Sequence, residues 1–376
     1  MVICIVTHKV SKGDGQGRVN YEVACEALRQ GYKLTIISSQ LDEQLQHDPN
    51  IEWIKIKVDG FPGDLFRNLK FSWSSSKWLK NHHHEVDLIK TNGAITDFGS
   101  DVNAVHFVHS AWLIYSRNLS QKLRGWFDFQ FLYQRLYTQL NSYWEKKAFL
   151  QAKRIVAVSH QVQQELLDIG VPKGKIVVIL NGVDLQEFCP GVVDRDEWGL
   201  PKNKVIALFA GDIKSSRKNL ESVLYALQQI PSLNIAVLGS TNGSPYPKLA
   251  SELGIAERTH FLGFRKDISK IMKAVDFFVF PSRYEACSLV ILEALASGLP
   301  VITAKSAGGS EIVTPGCGIV LHNPDDIKGL TDANEIGTND SLRSNMRQSA
   351  RIVAEQYSWS IMAKSYLNLI KEMTKE

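Results

Sequence analysis

Residues 277–301 read FFVFPSRYEACSLVILEALASGLPV. The apolar, aromatic run Phe277–Phe280, closed by Pro281, reads as a buried strand. Leu289–Ser297 reads as a helix stopped by Gly298, with Ser288 at the expected N-cap. A strand that turns directly into a helix is the repeating unit of a parallel sheet. Its turn leaves backbone N–H groups converging on one spot, which suits a diphosphate. Two carboxylates punctuate the segment, Glu285 in the turn and Glu293 about a turn and a half into the helix. A capping box would need its glutamate at the third helical position, which is Ile291, so capping does not explain Glu293.

The same alternation of short apolar strand, Gly-containing turn and amphipathic helix runs outward through the chain. It predicts the α/β class, with parallel sheets covered by helices. A first series has strands at Val2–Thr7, Lys33–Ser38, Leu88–Lys90, Val105–Val108 and Arg154–Val158. Its first helix runs from about Val19 to Gln30, with Gly31 as C-cap. A second series has a strand at Lys204–Ala210, a helix at Leu220–Gln229 and a strand at Asn234–Leu238. Between them, Pro190, Gly191, Gly199 and Pro201 mark a linker. The expected organisation is two facing doubly wound domains, 1–186 and 202–356, joined by 187–201. Residues 357–376 form a closing amphipathic helix able to pack back on the first domain. Such sheets bind ligands outside the carboxyl ends of their strands, so the site is expected in a cleft between the domains.

Composition narrows the class further. A chain of 376 residues, 44% apolar and 22% charged, suits two globular domains. No apolar run approaches the length of a membrane span, and the N-terminus enters a strand without a leader-like segment. Cys4, Cys25, Cys189, Cys287 and Cys317 are odd in number and contain no CxxC, so reduced thiols in a cytoplasm are expected. His82-His83-His84 lies in a polar stretch and reads as an exposed loop. Asp194-Arg195-Asp196 has the spacing of a metal motif but falls in the linker.

Three further segments carry candidate chemistry. Arg217 and Lys218 follow the strand Lys204–Ala210 and give a guanidinium fork beside a point charge, a pair suited to a pyrophosphate. Gly13, Gly15 and Gly17 follow the first strand. Their spacing is G-x-G-x-G, and the second strand ends Ser38-Ser39-Gln40 with no acid, so a dinucleotide site is rejected. His106 and His109 close an apolar strand, where a histidine can be core or catalyst.

These segments together resemble the family-4 retaining glycosyltransferases of GT-B fold. The pattern P-S-x-x-E-x7-E-A-x-A-x-G-x-P-V is carried by Pro281–Val301. Asn181-Gly-Val-Asp184 with Phe188, Phe261–Phe264 and Gly308–Glu311 match further segments in order. Arg217-Lys218 resembles a variant in lipopolysaccharide-core glucosyltransferases. The resemblance implies that Glu293 holds the donor ribose and that Glu285 and His109 flank the transferred sugar. It also implies that backbone N–H groups of Ser288, Leu289 and Val290 meet sugar and phosphates, that Arg217 and Lys218 hold the pyrophosphate, and that Gly15 brings bare backbone to the donor phosphate. Ala286-Cys287-Ser288 replaces the common Gly-Phe-Gly, which leaves the donor sugar open.

The implied activity is metal-independent, retaining hexosyl transfer from a nucleotide-diphosphate sugar, UDP-glucose favoured, to a saccharide or lipid-linked acceptor, without a cofactor. A GT-B nucleotide-sugar epimerase or hydrolase, and a non-enzymatic two-lobed sugar-binding module, stay open as alternatives. One segment stands apart. Between Leu113 and Arg154 eight basic residues, among them Lys122, Arg124, Arg135, Lys146 and Lys147, face two acids, a local +6 against +4 for the whole chain. Its aromatics read either as helix core or as a surface meeting anionic lipid at the inner face of the plasma membrane. No nucleic-acid motif is present.

Overall fold

The computed structural model describes residues 1–13, 15–60, 63–120 and 129–374; the side chains of 116–120, 129–132 and 134 lie outside that description. Lys122 and Arg124 are therefore outside the described residues. The chain divides into two compact units, Met1–Asn181 with Trp359–Glu376, and Gly182–Ser358.

The first unit is built on seven parallel strands: β1 (Val2–Val6), β2 (Lys33–Ser38), β3 (Ile51–Lys55), β4 (Leu88–Asn92), β5 (Val102–Val105), β6 (Arg154–Ala157) and β7 (Ile176–Val178). Their order is β3-β2-β1-β4-β5-β6-β7. Ile3, Cys4, Ile5 and Val6 in the middle of the sheet are buried, as strands covered on both faces must be. Helix α1 (Gly15–Arg29) follows β1, and α2 (Gly63–His82) sends Phe71 and Leu79 into a core with Cys4, Val6, Ile37 and Ile89. Each such side chain contributes about 1.5–3 kcal/mol through burial. Helices α3 (His109–Ser120), α4 (Phe129–Gln151) and α5 (His160–Asp168) complete the N-terminal run.

The second unit has six parallel strands: β8 (Val205–Ala210), β9 (Leu233–Leu238), β10 (Thr259–Gly263), β11 (Phe277–Phe280), β12 (Val301–Ala304) and β13 (Gly318–Leu321). They lie in the order β10-β9-β8-β11-β12-β13. Helix α6 (Leu220–Gln228) follows β8, and α7 (Leu289–Ala296) follows β11 and ends before Gly298, whose φ of +74° only glycine adopts cheaply. Two more helices, α8 (Ile327–Thr338) and α9 (Asp340–Glu355), precede α10 (Trp359–Met373), which belongs to the first unit and packs on α1.

Several local expectations shift. The strand read at Val105–Val108 lies at Val102–Val105, because Asp101 accepts from the Ile89 N–H (2.8 Å) and Asn103 accepts from that of Gly93 (2.8 Å). Those polar anchors hid its start. Helix α1 begins at Gly15 and not near Val19. Glycines cost a helix about 1 kcal/mol each and read as loop, yet here Gly17 is packed inside the helix. His82 ends α2 and His83–Glu85 forms a 3-10 turn, exposed as expected but not a loop. Residues 187–201 are not a free connection: Arg195 donates to the Ala274 carbonyl (2.7 Å) and pairs with Asp276 (2.8 Å), and Phe188 and Leu200 are buried.

Each sheet grows first to one side and then to the other. The reversal falls between β1 and β4 in the first unit and between β8 and β11 in the second. Open parallel sheets bind ligands at the carboxyl ends of the two strands flanking such a reversal.

Candidate active site

In the second unit the two strands at the reversal carry the two strongest sequence motifs. Beyond β8 the chain makes a 3-10 turn, Ser216–Lys218, and beyond β11 comes the turn Pro281–Ser288. Asn219 joins them. Held in the left-handed region at φ 64°, it caps α6 by accepting from the Ser222 N–H (3.4 Å), and its Nδ2 donates to the carbonyls of Pro281 (3.2 Å) and Pro324 (2.6 Å). Arg283 adds a second tie. Its N–H donates to the Arg217 carbonyl (2.9 Å), its Nη1 to the Ser216 carbonyl (2.6 Å), and its guanidinium pairs with Asp325.

This scaffold brings three predicted residues together. Arg217 Nη1 lies 3.1 Å from Glu285 Oε1, Lys218 Nζ contacts the same oxygen, and Ser282 Oγ donates to it at 3.2 Å. Burial lowers the pKa of Lys218, the Glu285 charge raises it and Arg217 lowers it, with a net downward direction. Lys218 also lies over the Phe280 ring, 5.3 Å from its centre. Two cations against one carboxylate leave a net positive cluster beside the start of α7, where amides of the first turn have no intrahelical partner.

The three expected amides are not equivalent. The Ser288 N–H is spent on the Gly308 carbonyl (2.7 Å), while Leu289 and Val290 open α7. Ser288 does stand at the N-cap, but its hydroxyl makes no capping bond. Gly308 lies so close that a Cβ there would sit 2.1 Å from the Ala286 carbonyl oxygen. Glu293 is half-buried in α7 and takes no part in the ion pairs of Arg217 and Lys218. Burial first, and the Glu187 charge second, push its carboxyl up to about 7. Among the described residues no hydrogen bond reaches that carboxylate, and the residue is only half-buried.

The first unit presents a different chemistry at its own reversal. Gly15 is the first residue of α1, beyond β1. His109 does not end a strand but opens α3, and it is gripped twice by Glu145 of α4, which sequence reasoning missed. The backbone N–H of His109 donates to Glu145 Oε2 (2.9 Å), and Nδ1 lies 2.7 Å from Oε1. Nδ1–H donating to this carboxylate fixes the orientation of the ring. The only sequence signal was an acid standing nearly alone in a basic segment. A cavity of about 730 Å³ also lies in this unit, but Met1, Leu88 and Arg154 line it at the amino ends of the strands, the wrong end for ligand chemistry.

Two parallel-sheet Rossmann-like domains of this kind make up the GT-B fold. The solved structure of WaaG, a glycosyltransferase involved in lipopolysaccharide biosynthesis, superposes with a TM-score of 0.75 at 19% identity over 98% of this chain and 99% of that one. Anabaena HepE in complex with UDP-glucose superposes with a TM-score of 0.71 at 19% identity over 99% of this chain and 100% of that one. The model of Glycosyltransferase Family 4 matches residues 13–187, and that of Glycosyl transferases group 1 matches residues 193–353. The chain belongs to this family of GT-B glycosyltransferases. Among curated proteins, the D-inositol 3-phosphate glycosyltransferase of Mycobacterium marinum is 32% identical over 255 residues, 61% of this chain and 53% of that protein. An uncharacterized glycosyltransferase of Methanocaldococcus jannaschii is 28% identical over 236 residues, 58% of this chain and 60% of that protein. The matches thus span between half and two thirds of these relatives.

Proposed function

We propose that the protein is a retaining, metal-independent hexosyltransferase that moves a sugar from a UDP-sugar, UDP-glucose favoured, to a saccharide or lipid-linked acceptor. The observation that carries this reading is the convergence of Arg217 and Lys218 on Glu285 between the ends of β8 and β11. A sugar diphosphate leaves as an anion, and preorganised cations facing that developing charge are the largest catalytic term such a site can supply. Arg217 offers a fork, Lys218 a point charge, and the first-turn amides of Leu289 and Val290 add donors. Glu285, already held by three donors, positions the sugar beside them. Glu293 accepts from the ribose hydroxyls. Gly15 brings backbone to the phosphate and His109 orients the sugar. The departing phosphate helps to deprotonate the acceptor hydroxyl on the same face.

HepE is solved with UDP-glucose, and WaaG acts in lipopolysaccharide biosynthesis; both favour a UDP-hexose and a cell-surface saccharide product. Work at the inner face of the plasma membrane is part of the proposal. Exposed Leu136, Tyr143 and Leu150 stand on α4 with exposed Arg135, Lys146 and Lys147. Among the described residues no helix is long and apolar enough to cross a membrane.

The test is transfer from UDP-α-glucose to a panel of saccharides, with the product linkage read by proton NMR. An α-linked product supports retention. A β-linked product, or donor consumed at the same rate without acceptor, overturns the reading, the second outcome in favour of an epimerase or hydrolase.

A further inference from the structure

The start of α1 is made of weak helix formers. Gly15, Gln16 and Gly17 open it, and glycine destabilises a helix because it loses the most backbone freedom on folding. Bare backbone here is of use only if something holds it in place. Asn20, little more than a turn along the helix, does so. Its side chain is fully buried, and its Nδ2 donates back to the Gln16 carbonyl (3.0 Å) and across to Thr7 Oγ1, just beyond β1 (3.1 Å).

An asparagine amide can turn over, so its partners decide which end faces which neighbour. Lys90 decides it here. It lies within β4, two residues before the carboxyl end, and its Nζ donates to Asn20 Oδ1 (2.6 Å) and to Asn92 Oδ1 (3.3 Å). An ammonium can only donate and a carbonyl can only accept. Lys90 must therefore face the oxygen of the Asn20 amide, and Gln16 must face its nitrogen. The bond from β4 thus locks the amide in the one arrangement that braces the first turn of α1.

A lysine is a costly residue at this point. Strands covered on both faces are built from apolar side chains, yet Lys90 is 0% exposed. Among the described residues no carboxylate pairs with it, and burial lowers its ammonium to about 7. The Tyr366 ring of α10 lies 5.4 Å from Nζ and offsets part of that cost. Proteins keep such a breach of local rules where a site needs it.

We propose that Lys90 is a positioning residue: acting through Asn20, it holds the glycine-rich start of α1 in the geometry that meets the donor phosphate. The brace stands on the bonds above; its purpose toward the donor rests on the glycosyltransferase reading.

The experiment is hydrogen exchange on the full chain at pH 6, where the ammonium is charged, read by mass spectrometry beside transfer from UDP-glucose. Lys90→Met removes the ammonium and keeps an unbranched side chain. Asn20→Asp keeps an oxygen for Lys90 and takes the donor away from Gln16. Both variants should quicken exchange at Val19–Tyr21, whose N–H groups close the first turn, at least tenfold over their intrinsic rates in wild type, with β1 and β4 within twofold. Both should raise the UDP-glucose KM at least fivefold and leave the acceptor KM within twofold. Simple destabilisation would lower kcat by removing folded enzyme and move neither KM. If Lys90→Met fails to fold, Asn20→Asp decides, because its carboxylate pairs with Lys90. Unchanged exchange at the start of α1, or exchange quickened equally across the sheet, overturns the brace. A donor KM within twofold in variants that do loosen α1 overturns its purpose. Wild type without transfer from UDP-glucose would instead strike the glycosyltransferase reading, and exchange would still judge the brace.

Discussion

The two units repeat one architecture and furnish it with opposite chemistry. At the reversal of the second sheet stand Arg217, Lys218 and Glu285, fixed charges tied by ion pairs and by the Asn219 and Arg283 braces. At the reversal of the first stand amides, imidazoles and one carboxylate that holds a histidine. Fixed charge suits a site that must stabilise a leaving anion. Neutral donors and acceptors suit a site that must tell one hydroxyl from another. The fold therefore sets where ligands go, and the side chains at the strand ends set what they are.

That contrast makes the two halves separable by mutation. The largest effect belongs to Lys218→Ala, which should lower turnover at saturating donor by about 10² to 10³, since one preorganised contact to a developing anion is worth about 2.7–4 kcal/mol. Near-normal UDP release by this variant would return the pair to ordinary surface. Glu145→Ala should lower transfer by about 10- to 100-fold, the cost of about 1–3 kcal/mol for a partner lost from a buried group. UDP affinity by calorimetry should not move; a matching loss of UDP binding would erase the distinction between the halves.

Glu293→Gln should weaken UDP binding by roughly tenfold, as expected for a hydrogen bond to a charged group. It carries a stability signature too. The Glu293 carboxyl is raised to about 7 from its ordinary 4.5, so the folded state holds the proton that the unfolded chain gives up. Wild-type stability from this group is present below about pH 4.5 and lost as pH rises through about 7. The variant should therefore melt above wild type at pH 8, with the gain shrinking toward pH 5. A gain that grew toward acid would show the sign to be wrong. The smallest expected effect is none at all: on the proposed reading Arg217 and Lys218 take the neutralising role, so excess EDTA should leave donor turnover unchanged. Loss on chelation, restored by manganese or magnesium, would transfer that role to a metal.

What could be read from sequence was what chain-local chemistry encodes. Strand β11 and the stop at Gly298 follow from an apolar run and a turn residue, whereas the ion pairs of Arg217 and Lys218 with Glu285 span 68 and 67 residues and were not read. Glu145 could not be read, because a bond spanning 36 residues leaves no local trace. The same holds for Asn219, whose reach to Pro324 spans 105 residues. Strand β3 escaped because its exposed and half-buried residues make a weak apolar run. The spent N–H of Ser288 was equally hidden, since motif spacing shows a helix start but not which amide another loop has already claimed.

That claim by Gly308 has a consequence for how activity is acquired. The turn bearing Glu285 is stitched to the segment after β12: the Glu285 N–H donates to the Ser306 carbonyl (3.2 Å), the Gly308 N–H to Glu285 (2.9 Å), and Ser288 back to Gly308. Glu285 thus takes its place only once β12 has docked beside β11. On dilution from denaturant, turnover should therefore recover no sooner than that docking is complete. A side chain at 308 would block that step, because a Cβ there would sit 2.1 Å from the Ala286 carbonyl oxygen and the two segments could no longer close on each other.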